Sequence, residues 1–123
     1  MKILTILSSI IVFSIVVSRP YAEPPKVVAS WYGEAFRGNL CADGKTIFNP
    51  DDPKLAAHKT LPFGTKVKVS ITKTKFIVVT IVDRGPFVAG RSIDLSKAGF
   101  SKLADTRAGL VKVTLEVLSS PNP

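Results

Sequence analysis

Four stretches of the chain carry the period and residue types of β-strands. Val27-Val28-Ala29-Ser30-Trp31-Tyr32 is a β-branched and aromatic run that stops at Gly33. Lys66-Val67-Lys68-Val69-Ser70-Ile71 alternates polar and apolar positions, which predicts a strand with one wet face. After the turn Thr72-Lys73-Thr74, the run from Lys75 to Val82 is apolar on both faces and predicts a more central strand. Gly109 to Leu118 predicts a last alternating strand, ended by Pro121. Elsewhere the pattern breaks. Gly33, Gly38, Asn39, Gly44, Asn49 and Pro50 punctuate a long loop with room only for short strands such as Lys45 to Phe48. Pro53 to His58 predicts one helical turn capped by Asp51 or Asp52, and the segment from about Leu95 to Ala104 a short helix capped by Asp94 or Ser96. Several short strands, two short helices and no regular alternation of the two predict a compact β-barrel with helical covers.

The N-terminus follows a different rule. Met1-Lys2 is a short positive region, Ile3 to Val17 an apolar run broken by Thr5, Ser8, Ser9 and Ser14, and Ser18 to Ala22 a polar exit, which is the layout of a secretory signal. The apolar run has 15 residues, short of the ~20 that span a bilayer. Cleavage is expected after Ala22, with a cut after Ser18 as the alternative. The chain thus divides into a signal at 1–22 and one domain at 23–123, destined for the periplasm, the cell wall or the medium.

Export changes the meaning of the charge. Removing residues 1–22 takes away Lys2 and Arg19 and no acid, so 17 basic and nine acidic residues become 15 and nine, a net +6 on 101 residues. That length buries a single core, and the positive balance points to an anionic polymer or surface. Nucleic acid is argued against by export and by lysines scattered along strands instead of interleaved with stacking rings. A monomer without a stable membrane anchor is expected. Cys41 is the only cysteine, so no intrachain disulfide forms. A small semi-buried side chain is the preferred reading over a catalytic thiol, because His58, its one possible partner, comes without a third group. One Cys and one His also leave a zinc site short of protein ligands, and neither a metal nor another cofactor is expected.

The candidate chemistry is concentrated in Val82-Asp83-Arg84-Gly85-Pro86-Phe87 and in Gly90-Arg91-Ser92-Ile93-Asp94-Leu95 after it. A β-branched run delivers Asp83 to the point where Gly85 and Pro86 must stop the strand. A carboxylate at the end of a buried strand is held by the sheet while its head faces a cleft, which suits a single acid or base. Tyr32, at the edge of the glycine-rich loop, is a candidate for stacking on a sugar ring, and Trp31 a weaker one.

Taken together, Ala29-Ser30-Trp31-Tyr32-Gly33, Ala57-His58-Lys59-Thr60-Leu61-Pro62-Phe63-Gly64, Asp83-Arg84-Gly85-Pro86-Phe87 and Arg91-Ser92-Ile93-Asp94-Leu95-Ser96 resemble, in order, the motifs of the rare lipoprotein A (RlpA-like) family. The resemblance runs from Val27 to about Leu118. It implies a mostly β fold, a six-stranded double-psi β-barrel with one or two short helices, near the lytic transglycosylases of peptidoglycan and more distantly the barrel domain of expansins. It implies Asp83 as the catalytic acid/base and His58 as a second catalytic group that polarises or positions substrate. Tyr32, Lys45, Arg84 and Asp94 are the implied substrate-binding residues, Asp94 with helix capping as its competing role. One carboxylate suffices for such a reaction, because the muramic acid's own 6-hydroxyl replaces the water that ordinary glycoside hydrolysis activates with a second one. That carboxyl must start protonated, a state that burial at a barrel rim favours and a close Arg84 opposes.

The sequence also departs from the family. Where many members carry Thr-Ala-Asn-Gly-Glu, this chain has Cys41-Ala42-Asp43-Gly44-Lys45, and a lysine in place of a cleft glutamate opposes a cationic transition state. No cysteine follows the signal, so a lipid anchor is not expected. Two functions follow: an exported transglycosylase that cleaves the bond between N-acetylmuramic acid and N-acetylglucosamine, leaving 1,6-anhydro ends, or a non-catalytic, expansin-like wall-binding or wall-loosening module.

Overall fold

The computed structural model describes residues 24–121; the signal expected at 1–22 lies outside the described residues. Six strands close into a barrel: β1 (Val27–Tyr32), β2 (Leu55–His58), β3 (Lys66–Ser70), β4 (Phe76–Asp83), β5 (Arg91–Ser96) and β6 (Val111–Ser119). Around the barrel their order is β1-β5-β2-β4-β3-β6, and β1 then pairs with β6. The β1–β5 and β2–β4 pairs are parallel and the other four antiparallel. Closure removes free edges, which a small β domain otherwise exposes to aggregation. Among the described residues there is one α-helix, α1 (Lys97–Ser101), with 3-10 turns at Glu34–Phe36 and Thr106–Ala108. No helix among them is long and apolar enough to cross a membrane.

Alternation along the strands sorts the side chains into two clusters. Inward positions such as Ala29, Ala56, Val67, Val69, Val79, Ile81, Ile93, Leu95 and Val113 fill the barrel, and Phe100 from α1 joins them. Tyr32, Cys41, Phe48, Leu55, Ala57 and Val82 form a second cluster, made of outward strand positions and two residues of the long loop between β1 and β2. The loop is therefore a cover with its own small core. Arg37 ties it together through Glu34 (Nε to Oε2, 2.8 Å) and Asp51 (Nη2 to Oδ2, 2.8 Å).

The strand expectations at β1, β3, β4 and β6 match the structure to within a few residues. Three others are corrected. The helical turn expected at Pro53 to His58 is strand β2, inserted between β4 and β5 with Leu55, Ala56 and Ala57 all buried. Pairing on both sides overrides the helix preference of Leu and Ala. The aspartate before it does bond locally, since Asp52 Oδ1 accepts from the Lys54 N–H at 3.0 Å, but this closes a turn instead of a helix. The helix expected from Leu95 begins at Lys97, because Asp94 and Leu95 belong to β5 and Ser96 is the cap, its Oγ accepting from the Gly99 N–H at 3.1 Å. The Lys45 to Phe48 strand reduces to a single bridge between Leu40 and Ile47. β4 is also less central than its composition implies. Phe76 and Val78 are 44% and 40% exposed on its outer face, with Lys68 Nζ over the Phe76 ring at 4.2 Å.

Helix α1 holds the cover loop against the barrel. The Ala98 N–H donates to the Pro50 carbonyl at 2.9 Å, and Ser96 Oγ donates to the Asp52 carbonyl at 2.7 Å. Such close approach requires glycine at position 99, where an added Cβ lies 2.9 Å from the Pro53 carbonyl oxygen. Gly99→Ala is accordingly expected to destabilise the domain by about 1–3 kcal/mol, outweighing the ~1 kcal/mol that alanine gains in helix propensity. A thermal unfolding midpoint equal to or above wild type would overturn this.

Candidate active site

Four neighbouring strands bring the site residues into one row. Asp83, the last residue of β4, is the register partner of Ala57 on β2; Ala57 faces Asp94 on β5, and Asp94 faces Ser30 on β1. Two strand spacings separate the backbones of the two aspartates, roughly 10 Å, with Ala57 between them in the row. Both border a cleft of about 240 Å³. Tyr32 also borders it, and Phe36 and Phe87 are its aromatic walls. A second groove of about 190 Å³, lined by Lys26, Lys68 and Lys73 among others, lies near the β3–β4 turn and contains none of the motif residues.

The loop and the strand end fix Asp83 together. Its Oδ1 accepts from the Ala42 N–H at 2.9 Å and from the Arg84 N–H at 3.0 Å. The Cys41 thiol is a further hydrogen-bonding neighbour of the same carboxylate. The Asp43 N–H donates to the Val82 carbonyl at 3.0 Å, so the 41–46 segment is docked on β4 at the point where the carboxylate emerges. Gly85, at φ +129°, then turns the chain in a conformation that side chains rarely adopt, and the following loop carries Phe87 out to 83% exposure.

Asp94 is held differently. Ser30 Oγ donates to its Oδ1 at 3.1 Å. Burial pushes its carboxyl above the ordinary range, Asp83 adds to this, and Ser30 and Arg91 work against it. The sign follows directly. A buried acid that resists ionisation costs the fold stability above its own pKa, and that cost disappears below the pKa of the unfolded chain, near ~3.9. Asp94→Asn should therefore be more stable than wild type at neutral pH, with the difference fading as pH falls through the acid range. Thermal melts across pH check this, and a variant less stable at neutral pH than at low pH, relative to wild type, contradicts it.

The remaining residues named from sequence are placed as follows. Arg84 borders the cleft, but its Nη1 donates to the carbonyls of His58 (3.1 Å) and Leu61 (2.7 Å), and its guanidinium lies 3.8 Å from the Phe63 ring centre. Its charge is turned into the 58–63 turn. His58 follows Ala57 on β2, where strand alternation gives it the opposite face, and it is not among the cleft-lining residues. Its Nδ1 accepts from the N–H groups of Thr60 (3.1 Å) and Leu61 (3.0 Å). Burial, then Arg84 and Lys59, lower its pKa, so the imidazole is neutral with its proton on Nε2. Lys45 is exposed on the loop, outside the cleft lining, and its N–H donates to Asp43 Oδ1 at 3.0 Å.

Tyr32 does not offer a ring face for stacking. Phe48 stacks on it at 4.1 Å between centroids and Phe36 meets it edge-on at 5.7 Å. Trp31 is equally committed, its Nε1 donating to the Thr106 carbonyl at 2.9 Å. The Cys41 thiol is buried and its pKa is pushed up to about 12, by burial first and then by Asp83 and Asp43, so it stays protonated and is no nucleophile. No group of three or more His, Cys, Asp and Glu positioned for a metal ion occurs among the described residues. The exposed aromatic Phe87 and the cationic Arg91 also line the cleft and were not singled out from sequence. A large ring between Pro86 and Gly90 was the available signal, since a turn that tight cannot bury it.

Comparison with known proteins agrees with this architecture. Residues 26–115 match the family described as lytic transglycolase. The endolytic peptidoglycan transglycosylase RlpA of Vibrio cholerae is 45% identical over 96 residues, covering 77% of this chain and 36% of that protein. The chain spans about a third of the length of the curated relatives it matches. Among solved structures, the Streptomyces papain inhibitor is similar at a TM-score of 0.62 and 26% identity, over 81% of this chain and 98% of that one. The Clavibacter michiganensis expansin is similar at 0.59 and 22% identity, over 80% and 52%, a likeness of fold. With the family match covering nearly the whole barrel and the closed six-stranded topology in place, the chain belongs to the lytic transglycolase family of double-psi β-barrels, and resembles RlpA within it.

Proposed function

We propose that this chain is exported and acts as a lytic transglycosylase on the glycan strands of peptidoglycan. The observation that carries the reading is Asp83: one carboxylate oxygen is fixed by two backbone N–H groups at the end of β4, and the residue borders an open cleft. In the proposed reaction Asp83 gives its proton to the glycosidic oxygen as the bond from C1 of N-acetylmuramic acid to that oxygen breaks. The 6-hydroxyl of the same sugar attacks C1 and returns its proton to Asp83, so the product is a 1,6-anhydro ring and the acid is regenerated. Asp94, across Ala57, faces the same substrate and is the second carboxyl the geometry offers for binding it. Phe36 and Phe87 supply apolar walls for sugar faces. His58 acts as a positioning group through the 58–61 turn, and Lys45 contributes to the basic surface that meets an anionic wall.

A binding-only, expansin-like reading is favoured by one observation: His58 and Lys45 stay outside the cleft, so neither stands beside Asp83 as a second catalytic group. Digestion of purified sacculi with mass analysis of the released fragments separates the two. Anhydro-ended products are expected. Tight binding with no fragments would leave the binding module as the account.

A further inference from the structure

Tyr32 ends β1 with its ring fixed on two sides by Phe48 and Phe36. Buried tyrosines held in this way normally find a partner for the hydroxyl. This one does not. The residue is 8% exposed, and its Oη is buried without a hydrogen-bond partner. An unpaired buried hydroxyl is a net cost to the fold, and phenylalanine would keep the ring packing without it. Its position is informative. Tyr32 borders the cleft that Asp83 and Asp94 also border, and its register partner on β5 is Ser96, two positions from Asp94. The neighbouring carboxylates already have donors, Ser30 for Asp94 and two backbone N–H groups for Asp83. Burial first, then the nearby Asp83 and Asp94 carboxylates, push the phenol well above its ordinary range, so it remains an O–H donor.

We propose that the Tyr32 hydroxyl is a ligand-binding donor: it gives a hydrogen bond to a sugar oxygen seated in the cleft between Asp83 and Asp94. The ring serves packing and the hydroxyl serves recognition, the reverse of a stacking role. Phe36, 48% exposed on the 3-10 turn, packs edge-on against the same ring at the border of the cleft. The role rests on the cleft being the glycan site.

The test is Tyr32→Phe, measured by titration with soluble glycan strands freed of stem peptides and by thermal melts without glycan. The melting temperature is expected to equal or exceed wild type, since an unpaired group is removed. Affinity is expected to fall about 3- to 10-fold, the worth of one neutral hydrogen bond. The loss should be the same at every pH below the ordinary phenol range. Unchanged affinity overturns the proposal and leaves the glycan reading standing. A lowered melting temperature with unchanged affinity overturns it in favour of a hydroxyl that holds a structural water. Wild-type protein that binds no glycan strand overturns the glycan reading and this role with it.

Discussion

Asp83→Asn should end the release of anhydro-ended fragments from sacculi while leaving the fold and wall binding near wild type. The side-chain carbonyl of asparagine can take over the bonds that Oδ1 accepts from the Ala42 and Arg84 N–H groups, so the 41–46 segment stays docked on β4. The amide then occupies the position of Oδ2. What is lost is the transferable proton. General acid/base catalysis by one side chain contributes typically ~10²- to 10⁴-fold, about 3–5 kcal/mol of barrier, enough to be seen in an end-point digest. Pull-down on sacculi and a thermal melt run beside the digest separate this loss from unfolding. Fragment release equal to wild type would remove Asp83 from the chemistry.

The barrel and the candidate acid were legible in the sequence for different reasons. β3 and β6 announce themselves by alternation, because an outer face in water and an inner face in the core impose period two on the chain. Asp83 was legible because a β-branched run ends on it immediately before Gly85 and Pro86. β2 was not. It has four residues, too few for a period, and its Leu and two Ala become a strand only through pairing with β4 and β5, which are distant in sequence. The same non-local pairing decides where Asp94 sits: local pattern offers it as a helix cap, and register puts it in the row with Ala57 and Asp83. Side-chain direction was the other blind spot. A motif names Arg84 and His58 but says nothing of where the guanidinium and the imidazole turn, and both turn into the 58–63 segment.

Arg84→Ala is therefore expected to act on stability more than on the glycan. Its Nη1 is the donor to two carbonyl groups, those of His58 and Leu61, and the guanidinium packs over Phe63. Truncation leaves both carbonyls without that donor and removes the stacking cation. Charge-assisted hydrogen bonds contribute about 1.5–3 kcal/mol each when buried. The bonds here are only part-buried, so a total of about 2–4 kcal/mol is the expected loss. In a domain of this size that lowers the melting temperature by roughly 10–20 °C. Arg84→Lys should recover only part of it, because an ammonium can donate to carbonyls but has no flat face to stack on Phe63. The backbone N–H that holds Asp83 Oδ1 survives in both variants, so sacculus binding and fragment release per folded molecule should stay within a few-fold of wild type at a temperature where the variants remain folded. The converse pattern, an unchanged melting temperature with sacculus binding abolished, would show that the guanidinium leaves the turn to hold the glycan.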